Sequence, residues 1–171
     1  MRRPWGPISS MKIEDNYLDN DDLLLILDTV SGETFPWFYQ AFPERSDDKD
    51  ILLCHDFYRH DIPPYCEGEG MKLLEPLLNK IMPTALIRIK ANSYPNTHII
   101  KEHKMHTDMS YGMTSIYYLN TNNGYTQFGD GTIVESMQNR LLTFQTDISP
   151  HCSTSCTDAR MRLNININYY G

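Results

Sequence analysis

The spacing of hydrophobic residues predicts two helices in the first half of the chain. Residues 20–31 are rich in leucine and isoleucine and lie between Asn20, which can cap a helix, and Gly32, which can end one. Aliphatic side chains between residues 70 and 82 fall on one face at helical spacing, although Pro76 leaves the start of this helix uncertain. The first stretch is apolar enough to imply burial, and we expect both helices to back a sheet.

Two aromatic-rich runs, residues 34–42 and 51–58, lie between these helices. The charged stretch that separates them, residues 43–50, is typical of a hairpin or a mobile loop. A plain solvated loop is the usual role of such a stretch, and the gating of a cleft is the alternative.

From residue 84 onward the pattern changes to successive strands. The runs that we interpret as strands are TALIRIKANSY, GMTSIYYLN, YTQF, TIVES, RLLTFQT and RMRLNININYY. Asn123-Gly124 and Gly129-Asp130-Gly131 separate some of them and can supply the positive φ angles of tight hairpins. We therefore predict a mainly β fold of the α+β class, an antiparallel sandwich or barrel with the N-terminal helices packed on one outer face.

The length and composition of the chain are those of one globular domain. It has 171 residues, 40% of them hydrophobic, and no low-complexity tract, so it can bury its own core. We predict a single domain over residues 1–171. Residues 1–82 would form a helical and strand support, and residues 83–171 would form the core that carries the site.

The net charge, the apolar runs and the cysteines indicate which partners and which cellular compartment to expect for the protein. The formal net charge of -7 repels phosphate backbones, so we expect no nucleic-acid partner. The longest strictly apolar run, Leu23 to Leu27, is far shorter than the roughly 20 residues of a membrane span, so no membrane span is expected. The N-terminal residues include no apolar segment of signal-peptide length, and the four cysteines form no CxxC pair. These features favour a cytoplasmic protein with reduced thiols.

Three residues form a candidate metal site. His106 and Asp108 are two residues apart, which puts both side chains on one side of an extended segment, and His151 follows a later predicted strand. Two histidines and one carboxylate on one face of Fe(II) leave open positions for an oxidant and a bidentate cosubstrate. A structural zinc site instead fills all four positions, usually with cysteine. Cys152 and Cys156 follow His151 and leave zinc as the alternative.

A 2-oxo acid that chelates such an iron needs a fixed cation for its far carboxylate. Arginine is suited to this because its planar fork binds both oxygens and stays charged. Arg160 and Arg162 open the last predicted strand and are the two candidates, and a solvated strand end is the alternative.

The last strand alternates between polar and aliphatic side chains. Its aliphatic row, Leu163, Ile165 and Ile167, is suited to packing against the helices. The opposite row suits a polar cavity inside the barrel, and the alternative is a polar face in open solvent. That row contains Arg162, Asn164, Asn166 and Asn168.

These stretches resemble a known family. HTDMSYGMTSIYYLN, NRLLTFQTDISPH and RLNININYY are similar to the double-stranded β-helix core, a jelly-roll and cupin-like fold, of the prolyl hydroxylase group of iron(II)- and 2-oxoglutarate-dependent dioxygenases. The similarity is greatest to hypoxia-sensing prolyl hydroxylases and to small phage-encoded oxygenases. It runs from about residue 84 to the end of the chain, while the first 80 residues match loosely in helix and strand order.

The resemblance implies an iron site and a 2-oxoglutarate site. The implied iron ligands are His106, Asp108 and His151. The implied 2-oxoglutarate residues are Arg162 as the carboxylate clamp, Tyr118 as a hydroxyl donor, and Tyr94 and Asn164 in the same pocket. The alignment selects Arg162, but it lengthens the loop after His151 by two residues, so Arg160 stays open. An intact Asp108 favours hydroxylation, because related halogenases have a small residue there.

The resemblance also implies a reaction and its reactants. O2, Fe(II) and 2-oxoglutarate would be used to hydroxylate a protein or peptide side chain, with proline suggested by analogy, or a small molecule, with release of succinate and CO2. Ascorbate is expected as a reductant, and the location is expected to be the host cytoplasm if the protein is phage-encoded. The nucleic-acid-repair branch has a second arginine six residues beyond the clamp, where this chain has Asn168.

Two other functions stay open from the sequence: a cupin-like metal enzyme that does not use 2-oxoglutarate, and a catalytically silent binding module. The other histidines are expected on the surface or in packing roles. Of these, His103 is predicted to face away from the metal. The remaining three are His55, His60 and His98.

Overall fold

The computed structural model describes residues 11–40, 51–61 and 69–171. The charged stretch 43–50 lies outside the described residues. Within the described residues the helices are α1 (Asn20–Ser31), α2 (Glu69–Leu73) and α3 (Glu75–Ile81). The strands are β1 (Lys12–Glu14), β2 (Phe38–Gln40), β3 (Leu52–Arg59), β4 (Ala85–Pro95), β5 (Met113–Tyr118), β6 (Tyr125–Phe128), β7 (Ile133–Glu135), β8 (Arg140–Gln145), β9 (His151–Ser153) and β10 (Met161–Tyr170).

The strands form two antiparallel sheets. The major sheet has the order β1-β8-β5-β10-β4-β3-β2, and the minor sheet has the order β7-β6-β9. Strands from before and after residue 82 share the major sheet, where β3 pairs with β4. The prediction of a mainly β fold with antiparallel strands is confirmed.

β10 is the central strand of the major sheet and separates two environments. Leu163, Ile165 and Ile167 lie in a hydrophobic cluster that includes buried residues of α1 and α3. Each such buried aliphatic side chain contributes about 1.5–3 kcal/mol. The helices therefore pack on the outer face of the sheet, as predicted.

A second hydrophobic cluster lies on the other face, between the two sheets. Its buried members come from β5 and β8 of the major sheet and from β6 and β7 of the minor sheet. They are Ile116, Tyr118, Phe128, Val134, Leu142 and Phe144. The polar row of β10 faces the same side, so this space has an apolar part and a polar part.

The predicted helices are found with two differences. α1 spans residues 20–31 as predicted, but Asp19 is the N-cap residue instead of Asn20, and Leu24 and Leu25 are 50% and 58% exposed. The solid leucine stretch is therefore buried only on its sheet-facing side.

The predicted helix over residues 70–82 is divided into α2 and α3 at Leu74. Pro76 lies in the first turn of α3. It has no amide proton to donate and its ring crowds the preceding turn, which explains why one continuous helix does not form.

One of the two predicted hairpin turns is confirmed. Gly131 has φ of 93° between the paired strands β6 and β7. The prediction for Asn123-Gly124 is wrong: neither residue has a positive φ, and the strands on either side, β5 and β6, belong to different sheets. The chain instead crosses from the major sheet to the minor sheet at these residues. A tight hairpin would have kept both strands in one sheet.

In the described part of the chain, no helix combines the length and the apolar character needed to cross a membrane.

Candidate metal and cosubstrate site

A backbone bridge brings the two candidate histidine ligands together. The amide of His106 donates to the carbonyl of His151 (2.9 Å), and the amide of His151 donates to the carbonyl of His106 (2.8 Å). Residues paired in this way carry their side chains on the same side, and the two ring centroids are 4.9 Å apart. The pairing of backbone segments thus sets the separation of the two imidazoles.

Asp108 completes the group. Its Oδ1 lies 3.7 Å from Nε2 of His106, and its Oδ2 lies 3.7 Å from Nε2 of His151. One ligand atom from each of the three residues lies within 4.8 Å of the others. Residues 11–40, 51–61 and 69–171 contain no other group of three ligating side chains that meets this distance. The structure therefore brings together the three predicted metal ligands.

The histidine rings are oriented for metal binding through Nε2. Nδ1 of His106 lies 3.0 Å from the carbonyl oxygen of Lys104, and Nδ1 of His151 lies 3.0 Å from the carbonyl oxygen of Ser149. A carbonyl only accepts, so each Nδ1 carries the proton and each Nε2 keeps its lone pair. Carbonyl partners of this kind fix the tautomer and ring angle of metal-binding histidines. The donor set therefore fits a metal ion.

Hydrogen-bond donors of the major sheet surround the Asp108 carboxylate, whose side chain is 5% exposed. Oδ2 accepts from the Asn166 amide (3.1 Å), the Asn168 amide (3.2 Å) and the Thr114 hydroxyl (3.2 Å). Oδ1 accepts from Nη2 of Arg88 (3.3 Å). These contacts hold the carboxylate in one orientation, with both oxygens directed between the two histidines.

The protonation states suit metal binding. Burial alone would raise the pKa of Asp108, but the positive charges of His106 and His151 while they are protonated, and of the always charged Arg88 guanidinium, hold that pKa well below its usual range. Burial lowers the pKa of His151, which packs against Phe144 at 4.8 Å between ring centroids. The carboxylate is therefore ionised and the buried imidazole neutral, as metal ligands must be.

Arg162 is 0% exposed and reaches from the major sheet to hydroxyls of the minor-sheet side. Its Nε donates to Ser136 (2.6 Å), its Nη1 to Ser153 (3.0 Å) and its Nη2 to Thr126 (3.1 Å). Three of the five N–H groups of a guanidinium are used in this way. Within the described residues no carboxylate lies within 4.0 Å of Arg162, and a buried cation without an anion is unfavourable.

Two tyrosines enclose this guanidinium. The Arg162 Cζ atom lies 5.3 Å from the centre of the Tyr94 ring and 5.6 Å from that of Tyr118, which is cation–π distance. The Tyr118 hydroxyl donates to Thr126 (2.8 Å), and burial raises its pKa. Asn164 is buried on the same face of β10 and accepts a hydrogen bond from Asn92 (3.1 Å). All four residues predicted to bind the cosubstrate thus lie near one another.

Gly124 leaves room for the Arg162 side chain. A Cβ atom at residue 124 would lie 2.6 Å from Cδ of Arg162 and 2.7 Å from the carbonyl oxygen of Ser155. The glycine that the sequence indicated as a turn residue is therefore needed for close approach. Arg160, the alternative clamp, is exposed.

A cavity of about 640 Å³ is lined by His106 and Asp108 of the metal group. Its lining also includes Tyr94 and Ser153, which contact Arg162. Such a volume is typical of small-molecule sites. Asn166, which binds Asp108, lies four residue steps along β10 from Arg162, about 13 Å of strand.

The sequence interpretation missed the part of the wall that β4 provides. Arg88, Lys90 and Asn92 line the cavity with Gln40 of β2. Polar residues alternate with other residues in RIKANSY, residues 88–94, as they do in the polar row of β10. This alternation would have predicted from the sequence that Arg88, Lys90 and Asn92 share one face of the strand. His103 also lines the cavity, so the prediction that it faces away is wrong; residues 103–105 are not in a strand.

The other three histidines agree with their expected surface or packing roles. His55 is buried and packs against Phe57 at 4.7 Å, while His60 and His98 are exposed. Among the described residues, neither Cys152 nor Cys156 belongs to the ligating group around His151, so the structure provides no support for the zinc alternative there.

No family model matches the sequence, and no curated protein matches it. Solved structures match over most of the chain. A prolyl hydroxylase from Trichoplax adhaerens, in complex with a hypoxia inducible factor oxygen degradation domain peptide fragment, is 16% identical with a TM-score of 0.70. The match covers 94% of this chain and 83% of that chain.

Two further structures show the same likeness. A prolyl-4-hydroxylase from Pseudomonas putida is 13% identical with a TM-score of 0.61, over 94% of this chain and 92% of that chain. A non-heme, α-ketoglutarate-dependent epimerase from nogalamycin biosynthesis is 10% identical with a TM-score of 0.68, over 93% of this chain and 76% of that chain. The chain thus has the fold of 2-oxoglutarate and iron oxygenases, whose core is the double-stranded β-helix that the sequence resemblance implies.

Proposed function

We propose that the chain is an Fe(II)- and 2-oxoglutarate-dependent dioxygenase that hydroxylates its substrate and releases succinate and CO2. One observation carries this proposal: a single cavity is lined both by His106 and Asp108 of a His-Asp-His group and by two residues, Tyr94 and Ser153, that contact a buried arginine with no carboxylate partner among the described residues. The first group is suited to a metal ion and the second to an anion. A cosubstrate that chelates the metal and ends in a carboxylate satisfies both.

The donor set fits Fe(II) because it combines two imidazoles with one carboxylate and includes no thiolate. His106, Asp108 and His151 would hold the ion. When bound, iron would supply the activation of O2 and chelation of the 2-oxo acid. The residues behind the ligands, Thr114 and Asn168 among them, hold the carboxylate in place.

Arg162 is the proposed clamp for the far carboxylate of 2-oxoglutarate. Its two remaining N–H groups can donate to one carboxylate, which is a strong and directional interaction in a buried site. The rings of Tyr94 and Tyr118 exclude water from the guanidinium. We assign the Tyr118 hydroxyl as a second donor to the cosubstrate, and Asn164 as a polar neighbour in the same pocket.

The proposed substrate is a protein or peptide side chain, or a small molecule. The Trichoplax adhaerens prolyl hydroxylase was solved with a peptide, which supports a peptide and, by analogy, proline. The epimerase from nogalamycin biosynthesis supports a small molecule on the same fold. O2 is the oxidant and ascorbate the proposed reductant. The acidic net charge supports a substrate other than nucleic acid, and we propose a cytoplasmic location, that of the host if the protein is phage-encoded.

The test has two stages. First, binding of 2-oxoglutarate is measured with and without Fe(II) or Mn(II), and we expect binding that depends on the metal. Second, protein with Fe(II), O2 and 2-oxoglutarate is incubated with candidate peptides and metabolites, and we expect succinate together with a product that has gained one oxygen atom in mass spectrometry. Metal binding without 2-oxoglutarate binding would instead favour a cupin-like enzyme, and the absence of both would favour a silent binding module.

A further inference from the structure

One wall of the cavity beside the metal group is made by two paired strands, β4 and β10. Lys90 of β4 pairs with Asn166 of β10, and Asn92 pairs with Asn164. Directly opposed residues of an antiparallel pair carry their side chains on one face. β4 therefore adds a second polar row beside that of β10, and the members that line the cavity include Arg88, Lys90, Asn92 and Asn166.

Lys90 is a cation in this wall with a neutral partner. Its Nζ donates to the amide oxygen of Gln40 (3.3 Å), and no carboxylate of the described residues lies within 4.0 Å of it. Burial, and next the charge of Arg88, lower its pKa. Asp56, opposite Lys90 on β3, lies 3.8 Å from Arg59 and is not part of the cavity lining.

The same wall contains two buried hydrogen-bond acceptors. The amide nitrogen of Asn92 donates to Asn164 and that of Asn166 donates to Asp108, which fixes the direction of both amide groups. Their Oδ1 atoms are buried and accept no hydrogen bond from a described residue. Buried polar atoms almost always have partners, so these oxygens favour a ligand that carries an N–H donor.

The charges of the proposed reactants leave this wall positive. The ferrous ion and Arg162 are balanced by the Asp108 carboxylate and the two carboxylates of 2-oxoglutarate. Because the Asp108 carboxylate, which Arg88 contacts at 3.3 Å, is already counted against the ferrous ion, the charges of Arg88 and Lys90 leave an excess of two positive charges over these groups. A further anion in the cavity is therefore favourable, although the chain as a whole is acidic.

We propose, on the basis of the function proposed above, that the substrate carries a carboxylate that binds Lys90 and Arg88, beside an N–H group that donates to Asn92 or Asn166. Two sources share this chemistry. A free amino acid has a carboxylate next to its ammonium, and an acidic residue of a peptide has a carboxylate near a backbone amide.

Titration calorimetry on the protein loaded with Mn(II) and 2-oxoglutarate tests the proposal and separates the two sources. One set of probes compares free L-amino acids with their α-amides. The other compares capped peptides that contain Asp or Glu with the same peptides that contain Asn or Gln. In one of the two sets we expect the acid to bind about tenfold more tightly than its amide, since a hydrogen bond to a charged group is worth about 1.5–3 kcal/mol.

Variants assign this preference to Lys90. Lys90→Gln and the apolar, similarly long Lys90→Met should reduce it to within about twofold, while Lys90→Arg should keep it. Lys12→Gln is the matched control, because it removes the same charge from an exposed residue outside the cavity. Circular dichroism checks that each variant is folded.

Two results would overturn the proposal: equal binding of acids and amides in both sets, or a preference that survives in both Lys90→Gln and Lys90→Met. If the wild-type protein binds 2-oxoglutarate only with metal but shows no preference for acids, the substrate proposal alone is wrong. If it fails to bind 2-oxoglutarate with metal, the proposed function is wrong as well.

Discussion

The site has two ends that each bury one charged group, Asp108 at the metal group and Arg162 at the proposed clamp, and they do so in opposite ways. Asp108 is surrounded by donors of the major sheet, including the cation Arg88 at 3.3 Å. Arg162 is surrounded by three neutral hydroxyls from the minor-sheet side. The Asp108 end thus has its countercharges within the protein, whereas the Arg162 end has orienting partners and no anion among the described residues.

Because of this difference, the two ends favour ligands of opposite charge. Neutral hydroxyls fix the direction of a guanidinium but leave its charge uncompensated, so the Arg162 end favours an anion. The donors around Asp108 fix both carboxylate oxygens toward the two histidines, so that end favours a cation held by all three ligands. Three substitutions test whether the ends act separately.

The largest effect is expected for Asp108→Ala. Loss of the carboxylate removes one of three ligands and the negative charge, so affinity for Mn(II) or Fe(II) should fall by more than about 100-fold, measured by calorimetry. Binding of 2-oxoglutarate that requires metal should be lost with it. Asp28→Ala, on the exposed side of α1, is the control and should bind metal normally. Unchanged metal affinity in Asp108→Ala would remove the assigned metal site.

Arg162→Met should weaken the binding of 2-oxoglutarate and leave metal binding in place. Affinity for 2-oxoglutarate in the presence of metal should fall by about 10- to 100-fold, because a charged hydrogen-bonded partner of the carboxylate is lost, while metal affinity should stay within about twofold. Arg160→Met is the matched control and removes an exposed arginine two residues away. A loss of affinity in Arg160→Met with none in Arg162→Met would reverse the assignment of the clamp.

Gly124→Ala should have the smallest effect and would sharpen the comparison, because it leaves every charged group in place. The added Cβ would lie 2.6 Å from the Arg162 side chain, so the guanidinium must shift. We expect about a fivefold loss of 2-oxoglutarate affinity and a loss of about 1–3 kcal/mol in the free energy of unfolding. Gly171→Ala, at an exposed glycine outside the helices and strands, is the control. Normal 2-oxoglutarate affinity in a folded Gly124→Ala variant would show that the position of Arg162 does not limit binding.

The sequence predicts regular elements well where one periodic pattern is uninterrupted. α1 and the alternation of β10 follow directly from the spacing of apolar residues. The predicted helix over residues 70–82 is divided at Leu74, since Pro76 interrupts it. Asn123-Gly124 has the composition of a tight turn, but the chain passes from one sheet to the other at these residues. Local composition does not distinguish such a connection from a hairpin.

The sequence by itself determined which residue types are available to the site: His106, Asp108, His151 and the polar row that begins at Arg162. A two-residue spacing and a strand alternation are local properties, and local sterics fix the direction of such side chains. Their resemblance to a family's motifs added the expected roles.

Tertiary structure alone decided which of these groups meet. The bridge between His106 and His151, the hydroxyls around Arg162 and the pairing of Lys90 with Asn166 all join segments distant in the chain. Strand register sets these contacts, and register depends on how two sheets close around a shared core. The alternation of β4 is present in the sequence, but the pairing that sets its polar row beside that of β10, on which the substrate proposal rests, was decided by the fold.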